Sequence, residues 1–295
     1  MGDSNVVTTS TTRPVHGRET RSIGAVLIDS GRLKVQDLER ILRLQREGNL
    51  RFGEAAIRLD LLTPADIDYA LSLQFDFAYL LPGQSAVSEE VVTAYVPNSP
   101  KAEALRGLRS QLMLRWFDAG PANKALAIVS AERKDGRSHI AANLAVVFSQ
   151  LGERTLLVDA DLRHPRQHRL FGIEGHIGLS TVLSERAGME ALQSIPSLPN
   201  LAVLPAGALA PNPTELLARP VLPLLLQQLS HAFDVILLDS SASAEIADAQ
   251  ILAVRAGAAL IVARKNSART WQVQGISAQV TEARATIVGA VLNDY

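Results

Sequence analysis

The sequence contains no cysteine, no large excess of either charge and no long apolar run, and each absence excludes a class of protein. Without cysteine, disulfides and cysteine-based metal sites are impossible, and the composition suits a reducing cytosol. A formal net charge of -1 provides no global attraction to nucleic acid or to an anionic membrane surface. No stretch approaches the roughly 18 to 20 apolar residues of a membrane span. We therefore expect a cytoplasmic protein with no nucleic-acid partner and no direct membrane insertion.

The chain has 295 residues, 47% of them hydrophobic, which is enough for one large and one small domain. Residues 1–20 are rich in Ser and Thr and lack the apolar core of a signal peptide, so we interpret them as a disordered lead-in. We predict a helical tandem-repeat domain over 21–80. A linker punctuated by Pro and Gly follows over 81–100, and an α/β domain occupies 101–295.

The stretch 124–165, KALAIVSAERKDGRSHIAANLAVVFSQLGERTLLVDADLRHP, organises the rest of the chain. It predicts a buried strand, a polar loop, a helix that ends at Gly152 and a second buried strand. The second strand delivers Asp159 and Asp161 to its carboxyl end, the edge where open α/β sheets bind ligands. A later segment, FDVILLDSS, predicts another such strand that ends at Asp239 and has the form of a Walker B strand. In this order, the segments indicate a nucleotide site.

The polar loop partly matches the P-loop pattern G-x-x-x-x-G-K-[ST], whose backbone N–H groups bind phosphates at a helix N-terminus. Gly136 and Ser138 fit the pattern, whereas Ala131 stands at the first Gly and Arg137 at the Lys. Arg is always charged and forks onto phosphate oxygens, but it is bulkier than Lys. Phosphate binding therefore tolerates this replacement more easily than turnover does. The carboxylates that follow can hold a metal ion or accept a hydroxyl proton.

Strands and helical segments alternate through the remainder of the chain, as in AALIVARKN followed by WQVQGISAQVTEA and TIVGAVLND. This alternation implies right-handed crossovers and a mostly parallel sheet. We therefore predict an α/β fold of the three-layer P-loop type, preceded by a small helical domain.

An internal repeat occupies the predicted helical domain, and each copy predicts a short helix, a turn and a second helix. The repeat aligns four pairs of positions: Gly24 with Gly53, Leu33 with Leu62, Leu42 with Leu71 and Gln45 with Gln74. A small helical module with a Leu and Ile core accounts for the apolar positions but not for the paired Gly and Gln. The repeat resembles the tandem N-terminal motif of type II secretion and pilus ATPases, which binds cyclic di-GMP. The positions that this resemblance implies for the ligand are Gly24, Gly31, Gln45, Arg51, Gly53 and Gln74.

Residues from about 102 onwards resemble the bacterial protein-tyrosine kinases of exopolysaccharide chain-length control, in particular those of exosortase-linked loci. The resemblance is carried, in order, by VSAERKDGRS, LLVDADLRHP, GLSTVL, LPAGALAPNPTELL and FDVILLD. DADLRHP is the most specific of these, because in this family the two Asp residues form a second Walker-type motif. The resemblance implies transfer of the ATP γ-phosphate to protein tyrosine, with ATP and Mg²⁺ as cofactors and exopolysaccharide polymerisation and export as the regulated process.

The same resemblance implies roles for individual residues. Asp159, Asp161 and Arg137 would be catalytic, the carboxylates orienting the metal and the attacking Tyr hydroxyl. Mg²⁺ would be held by Ser138, Asp159 and Asp239. The residues that would wrap the ATP phosphates are Ala131, Lys134, Asp135, Gly136, Arg137, Ser138 and His139.

The resemblance also implies partners. Glu103, Arg106 and Arg109 match the E-x-x-R-x-x-R helix through which these kinases assemble into homo-oligomeric rings, although a solvated charged face is the simpler interpretation. Tyr295, the last residue, is the implied phospho-acceptor. A membrane polysaccharide co-polymerase is the expected activator, and it would recruit the protein to the inner membrane.

Two alternatives remain open. A MinD- or ParA-like ATPase has the same fold, but it carries a signature Lys where this chain has Glu132. A non-catalytic nucleotide-binding adaptor is the other, if Arg137 has exchanged turnover for tight binding. Nucleotide binding without phosphate release or transfer would favour the adaptor.

Overall fold

The computed structural model describes residues 22–74, 79–242 and 247–294. The chain divides into two compact units, Met1–Asp76 and Phe77–Tyr295. The lead-in predicted for 1–20 and the predicted acceptor Tyr295 lie outside the described residues. Among the described residues, no helix is both long and apolar enough to cross a membrane.

The first unit follows the internal repeat. Its described helices are α1 Ile23–Asp29, α2 Val35–Gly48, α3 Phe52–Arg58 and α4 Pro64–Gln74. The helix, turn and second helix predicted for each copy are present. Gly31 and Asp60 occupy equivalent turn positions, and both have a left-handed backbone, with φ of 71° and 52°. Asp is one of the few residues with a side chain that tolerates this region, which explains why it can replace the Gly of the motif.

Helix packing accounts for the paired glycines of the first unit. A Cβ on Gly24 would lie 2.8 Å from Cδ1 of Leu38, and a Cβ on Gly53 would lie 3.1 Å from Cγ2 of Ile67. Neither position has room for a larger side chain unless its neighbour shifts. The core beside these contacts contains residues from both copies: Leu27, Ile41, Ala55, Leu62 and Ala70. The sequence alone did not explain the glycines, because a close approach between helices leaves no local pattern.

The predicted linker 81–100 belongs to the second unit. It contains a one-turn helix, α5 Val92–Tyr95, and its Tyr95 is buried in the same core as the sheet. Thr93 is also buried, and both its backbone N–H and its hydroxyl donate to Oδ1 of Asn143, each at 3.0 Å. A single helical turn between Pro and Gly residues has too few positions to show a period. The sequence of this segment therefore predicts a linker, whereas the structure packs it against α7 and the core of the sheet.

Within the described residues, seven strands form one sheet. They are β1 Ala125–Val129, β2 Thr155–Asp159, β3 Gln193–Ser194, β4 Leu201–Leu204, β5 Val235–Asp239, β6 Ala258–Arg264 and β7 Thr286–Asn293. Their order is β3-β4-β2-β5-β1-β6-β7, and every neighbouring pair is parallel except β3 with β4. The predicted mostly parallel sheet is confirmed.

Helices cover both faces of the sheet. They are α6 Pro100–Arg115, α7 Arg137–Gln150, α8 Gln167–Phe171, α9 Leu179–Leu183, α10 Pro213–Ala218, α11 Val221–Ala232, α12 Asp248–Ala256 and α13 Thr270–Glu282, with 3₁₀ turns at Phe117–Ala119 and Met189–Ala191. Side chains alternate along each strand, so Ile128 joins the core that contains Phe148 of α7, whereas Ala127 joins the core that contains Leu252 of α12. This arrangement confirms the three layers.

Candidate active site

The site lies where β1, β2 and β5 end and α7 begins. β2 and β5 pair in parallel. Asp159, the last residue of β2, lies opposite Asp239, the last residue of β5. Both Asp side chains are fully buried. A cavity of about 380 Å³ lies at this edge, and its lining includes Gly136, Ser138 and Asp161. The stretch that contains β1 and β2 therefore meets the distant strand β5 at one place, as the parallel topology requires.

Gly136 immediately precedes α7 and adopts a left-handed backbone with φ of 98°. A Cβ there would lie 2.1 Å from Nδ2 of Asn293, the last residue of β7. That same Nδ2 donates to the carbonyl oxygen of Asp135 at 3.0 Å, so Asn293 closes the loop from the side. Both the backbone and the space therefore require glycine. The first N–H groups of α7 have no intrahelical partner and are suited to bind an anion.

Of the remaining loop residues, two are buried in the protein and two line the cavity. Asp135 is buried and its Oδ2 accepts from the backbone N–H of Glu132 at 3.0 Å, so it shapes the loop. Ala131 is also buried. Lys134 and His139 line the cavity. Burial lowers the pKa of His139, so the imidazole is neutral at neutral pH and adds no positive charge to the site.

Arg137 is buried, and its guanidinium connects the ends of three strands. Nε donates to the carbonyl oxygen of Ser240 at 2.9 Å, and one terminal nitrogen donates to the Ser130 hydroxyl and, at 3.1 Å, to the Glu132 carbonyl. The other terminal nitrogen lies 3.7 Å from Oδ2 of Asp161. Arg137 lines the cavity, but its guanidinium nitrogens are directed mainly at protein oxygens. A Lys could not reproduce this fork, because its charge sits on a single nitrogen.

The two strand-end carboxylates each have one satisfied oxygen. Oδ2 of Asp159 accepts from the backbone N–H groups of Arg166 and Gln167, both at 2.9 Å. Oδ2 of Asp239 accepts from the side-chain amide of Gln167 at 2.7 Å. Oδ1 of Asp159 and Oδ1 of Asp239 are buried and have no hydrogen-bond partner among the described residues. Buried acceptors of this kind are costly unless something else binds them.

Burial is the main cause of the raised pKa values of Asp159 and Asp239. It raises the pKa of Asp159 well above its ordinary value, and the neighbouring Asp239 carboxylate raises it further. Burial also raises the pKa of Asp239 to about 6, although the charge of Arg137 and the hydrogen bond from Gln167 oppose the shift. Two adjacent buried carboxylates are difficult to ionise together without added positive charge.

The residues at this edge fit a magnesium ion that binds together with a nucleotide. In the described ranges, no three His, Cys, Asp or Glu side chains form a metal-binding cluster. Mg²⁺, however, usually takes only one or two carboxylates and completes its octahedron with water and substrate phosphates. The unpartnered oxygens of Asp159 and Asp239 supply the carboxylates. Ser138 lines the cavity beside them.

Sequence reasoning missed several residues of the site. Gln167 at the start of α8 contacts both carboxylates, and Asn293 closes the phosphate loop. Arg163 and Arg166 also line the cavity, and Arg163 is held by Asp248 at 3.0 Å. The DADLRHP motif offered a signal for Arg163, whereas a Gln eight residues beyond a strand offers none.

The cyclic di-GMP positions occupy different environments within the first unit. Gly24 is buried, Gly53 is half-buried against Ile67, and Gly31 and Arg51 are exposed. Gln45 lines a shallow cavity of about 500 Å³. The backbone of Gln74 ends α4, but its side chain lies outside the described part of the chain.

The charged residues of α6 make contacts within their own chain. Arg106 pairs with Glu103 at 2.6 Å and also donates to the carbonyl oxygen of Pro97. Arg109 donates to the carbonyl oxygen of Val147 in α7 at 3.0 Å. Glu103 is exposed. Their assignment to an oligomer interface stays a prediction.

Comparison with known proteins places this architecture in context. No protein-family model matches the chain. The chain is 32% identical to tyrosine-protein kinase YwqD of Bacillus subtilis over 209 residues, which cover 71% of this chain and 87% of YwqD. It is 29% identical to tyrosine-protein kinase wzc of Salmonella typhimurium over 197 residues, 67% of this chain, but spans only 27% of the length of that relative.

Solved structures with the same fold include kinases and an ATPase. The chimerical protein CapA2B2 superposes with a TM-score of 0.65 at 29% identity, covering 76% of this chain and 97% of the chimera. The kinase domain of the Escherichia coli tyrosine kinase ETK also gives 0.65, at 28% identity, covering 69% of this chain and 79% of that domain. The cell division ATPase MinD of Pyrococcus furiosus gives 0.52 at 28% identity, covering 59% of this chain and 73% of MinD.

Proposed function

The chain belongs to the bacterial tyrosine-protein kinases, and we propose that it transfers the γ-phosphate of ATP to a protein tyrosine in the machinery that makes and exports exopolysaccharide. The observation that carries this proposal is the in-register pair Asp159 and Asp239, each with an unpartnered buried oxygen, beside the N-terminus of α7. This edge combines an anion-binding helix end with carboxylates for a divalent cation, which is what a Mg-ATP site requires.

The residues then take distinct roles. Ser138, Asp159 and Asp239 would hold Mg²⁺, which, when bound, neutralises charge on the ATP phosphates. Asp161 lines the cavity, and its Oδ1 is held by the backbone N–H groups of Arg163 and His164 at 3.2 and 2.9 Å. We therefore assign to Asp161, rather than to the more deeply buried Asp159, the acceptance of the tyrosine hydroxyl proton. The α7 N-terminus and Arg137 would orient the phosphates for in-line transfer.

A labelled-phosphate experiment tests the proposal. The wild type, Asp159→Asn and Tyr295→Phe are incubated with γ-labelled Mg-ATP, with nucleotide binding followed in parallel. Transfer by the wild type and its loss in Asp159→Asn are expected, whereas Asp118→Asn, at an exposed carboxyl away from the site, retains transfer. Loss of label in Tyr295→Phe would identify the C-terminal acceptor. Label that persists in Asp159→Asn would contradict the assigned site.

A non-catalytic adaptor is the second candidate, and the contacts of Arg137 favour it. Its donors already serve Ser240, Ser130 and Glu132, so fewer are available for a transferring phosphate. Binding without transfer, even after addition of the cytoplasmic segment of a polysaccharide co-polymerase, would support the adaptor. Phosphate release without tyrosine labelling would instead support a MinD-like ATPase.

We extend the proposal to regulation. The first unit would sense cyclic di-GMP near Gln45, and the α6 residues Glu103, Arg106 and Arg109 would join subunits of a homo-oligomer. The protein would work in the cytoplasm at the inner membrane, with exosortase-type loci as the genetic context.

Calorimetry tests whether the first unit binds cyclic di-GMP. Gln45→Ala is expected to lose any heat of binding that the wild type shows. Gln36→Ala, at an exposed residue of the same helix, is expected to retain it.

A further inference from the structure

We propose that Gln167 is a positioning residue of the cation site. Its side chain links the phosphate loop to the Asp239 carboxylate and fixes both in the arrangement that binds Mg²⁺. This inference rests on the proposed function. Gln167 matches no recognised sequence motif, but its side chain lies between the phosphate loop and the strand-end carboxylates.

The side-chain amide of Gln167 is fully buried and makes two directed contacts. Nε2 donates to Oδ2 of Asp239 at 2.7 Å and to the carbonyl oxygen of Ser138 at 3.1 Å. A carbonyl oxygen can only accept, and an ionised carboxylate can only accept as well, so both amide protons are required. The orientation of the amide is therefore set by its partners. Ser138 is the hydroxyl residue of the phosphate loop, so one side chain spans loop and strand end.

The backbone of Gln167 reaches the second carboxylate. Its N–H donates to Oδ2 of Asp159 at 2.9 Å. Gln167 at the start of α8 therefore donates to one oxygen of each strand-end carboxylate, Oδ2 of Asp159 and Oδ2 of Asp239. Because β2 and β5 are in register, these contacts constrain the two carboxyl groups relative to each other and to the loop. A small displacement of such groups is enough to lose a preorganised site.

The contacts leave a specific set of oxygens without donors. Oδ1 of Asp159, Oδ1 of Asp239 and Oε1 of Gln167 are buried and unpartnered among the described residues. All three belong to groups whose other polar atoms are held. Oxygen atoms without donors are the ligands that a hard cation binds, directly or through its water. Gln167 thus holds one oxygen of each carboxylate and leaves the other to the cation.

Two substitutions distinguish the hydrogen bonds that Gln167 donates from the packing of its side chain. Gln167→Met keeps a similar volume but cannot donate a hydrogen bond, and Gln167→Glu keeps the shape but replaces the donor with a third negative charge. The measurements, on the full chain, are Mn²⁺ binding by electron paramagnetic resonance and binding of a fluorescent ADP analogue with and without Mg²⁺. We expect both variants to lose at least tenfold of the Mg²⁺-dependent affinity, with Mg²⁺-free binding changed by less than threefold.

A matched control and a double substitution complete the design. Gln193→Met removes a 2.7 Å hydrogen bond to Glu174 away from the site, and it should leave both affinities unchanged. In an Asp239→Asn background, Gln167→Met should add little further loss, because the partner that it positions is already altered. Melting temperatures of the nucleotide-free variants show whether each is folded. If Gln167→Glu does not fold, Gln167→Met and the double substitution still decide the question.

Each outcome has a definite meaning. Unchanged Mn²⁺ affinity in Gln167→Met overturns the inference, and so does an equal loss of Mg²⁺-free and Mg²⁺-dependent binding, which would mean a packing role. A wild type that binds Mn²⁺ and ADP but transfers no phosphate, even with the cytoplasmic segment of a polysaccharide co-polymerase present, defeats the proposed kinase, whereas the positioning role is still decided by the binding measurements on the Gln167 variants. A wild type that binds no nucleotide overturns both.

Discussion

Asp159 and Asp239 stand opposite each other at the ends of β2 and β5, and both are completely buried. Strand register alone brings them together, because parallel pairing aligns the last residues of two strands of equal length. Burial of both carboxyl groups raises both pKa values, so it is unfavourable to ionise the two together without positive charge beyond that of Arg137.

The first prediction is that Asp159→Asn stabilises the nucleotide-free protein while it abolishes Mg²⁺-dependent binding. The substitution replaces a buried carboxyl that is unfavourable to ionise beside Asp239 with a neutral group, and the Asn carbonyl can still accept the hydrogen bonds from Arg166 and Gln167. We expect a gain of roughly 1 kcal/mol, which corresponds to about 2–4 °C in melting temperature. Differential scanning calorimetry without nucleotide and with Mg-ADP measures both effects.

Asp234→Asn is the matched control at the other end of β5. Hydrogen bonds and the charge of Arg154, at 2.7 Å, lower the pKa of Asp234, so its ionised form is stabilising. The pair is partly exposed, and its loss should lower stability by about 0.5–1 kcal/mol. A lower melting temperature for nucleotide-free Asp159→Asn would contradict the explanation based on charge repulsion.

The second prediction concerns Arg137. Replacement by Lys leaves at least one of the oxygens of Ser130, Glu132 and Ser240 without a donor, and an unsatisfied buried acceptor is unfavourable by about 1–3 kcal/mol. We therefore expect Arg137→Lys to lose roughly 2–3 kcal/mol in urea unfolding, although it restores the usual P-loop residue. Arg133→Lys, in the same loop but exposed, should change stability by less than about 0.5 kcal/mol. Equal unfolding midpoints for the two variants would rule out the bridging role.

The third prediction compares two glycines with nearly the same backbone. Gly136 and Gly152 have φ of 98° and 97°, but only at Gly136 would an added Cβ meet another atom, Nδ2 of Asn293 at 2.1 Å. Backbone strain alone should make Gly152→Ala unfavourable by about 1–2 kcal/mol. Gly136→Ala should lose roughly 2–4 kcal/mol, because Asn293 must also release Asp135.

A double substitution isolates the steric part. Asn293→Ala removes the obstruction, so Gly136→Ala should be less damaging in that background than in the wild type. Chemical denaturation of the four proteins of this cycle gives the coupling. If Gly136→Ala and Gly152→Ala have equal effects, the contact with Asn293 is not limiting.

The fourth prediction is a pH dependence of the first unit. Burial by itself would raise the pKa of Asp66, but hydrogen bonds from Thr63 and the Arg32 guanidinium outweigh it and lower the pKa below 3.8. A lowered native pKa means that the stabilisation is complete above the unfolded value and is lost as the pH falls through it toward the native value. Between about pH 5 and 3, the wild type should therefore lose about 0.5–1 kcal/mol more stability than Asp66→Asn.

Hydrogen exchange of α4 amides across this range measures the effect, because α4 contains Asp66. Asp60→Asn serves as the control, since it removes an exposed carboxylate at a left-handed position that Asn also tolerates. Parallel pH profiles for the wild type and Asp66→Asn would eliminate the ion pair as a source of stability.

Local patterns predicted the elements of the second unit well. Buried strands, the loop with Gly136 and the terminal Asp residues depend on side-chain alternation and turn chemistry within a few residues, and both are visible in a sequence. Asn293 could not be found this way, because it acts on a loop at the other end of the domain in sequence. The segment around Thr93 was missed for the same reason, since its anchor, Asn143, is far along the chain.

The sequence by itself determined the mostly parallel sheet, the phosphate loop and the three acidic residues at strand ends, because each follows from local periodicity and from the direction in which parallel strands run. Only the tertiary structure decided which oxygen of each carboxylate is held and which is left unpartnered, and that Arg137 binds protein oxygens. These features depend on contacts between residues distant in sequence, such as Gln167 with Asp239, whose geometry is set when the sheet and its helices pack together.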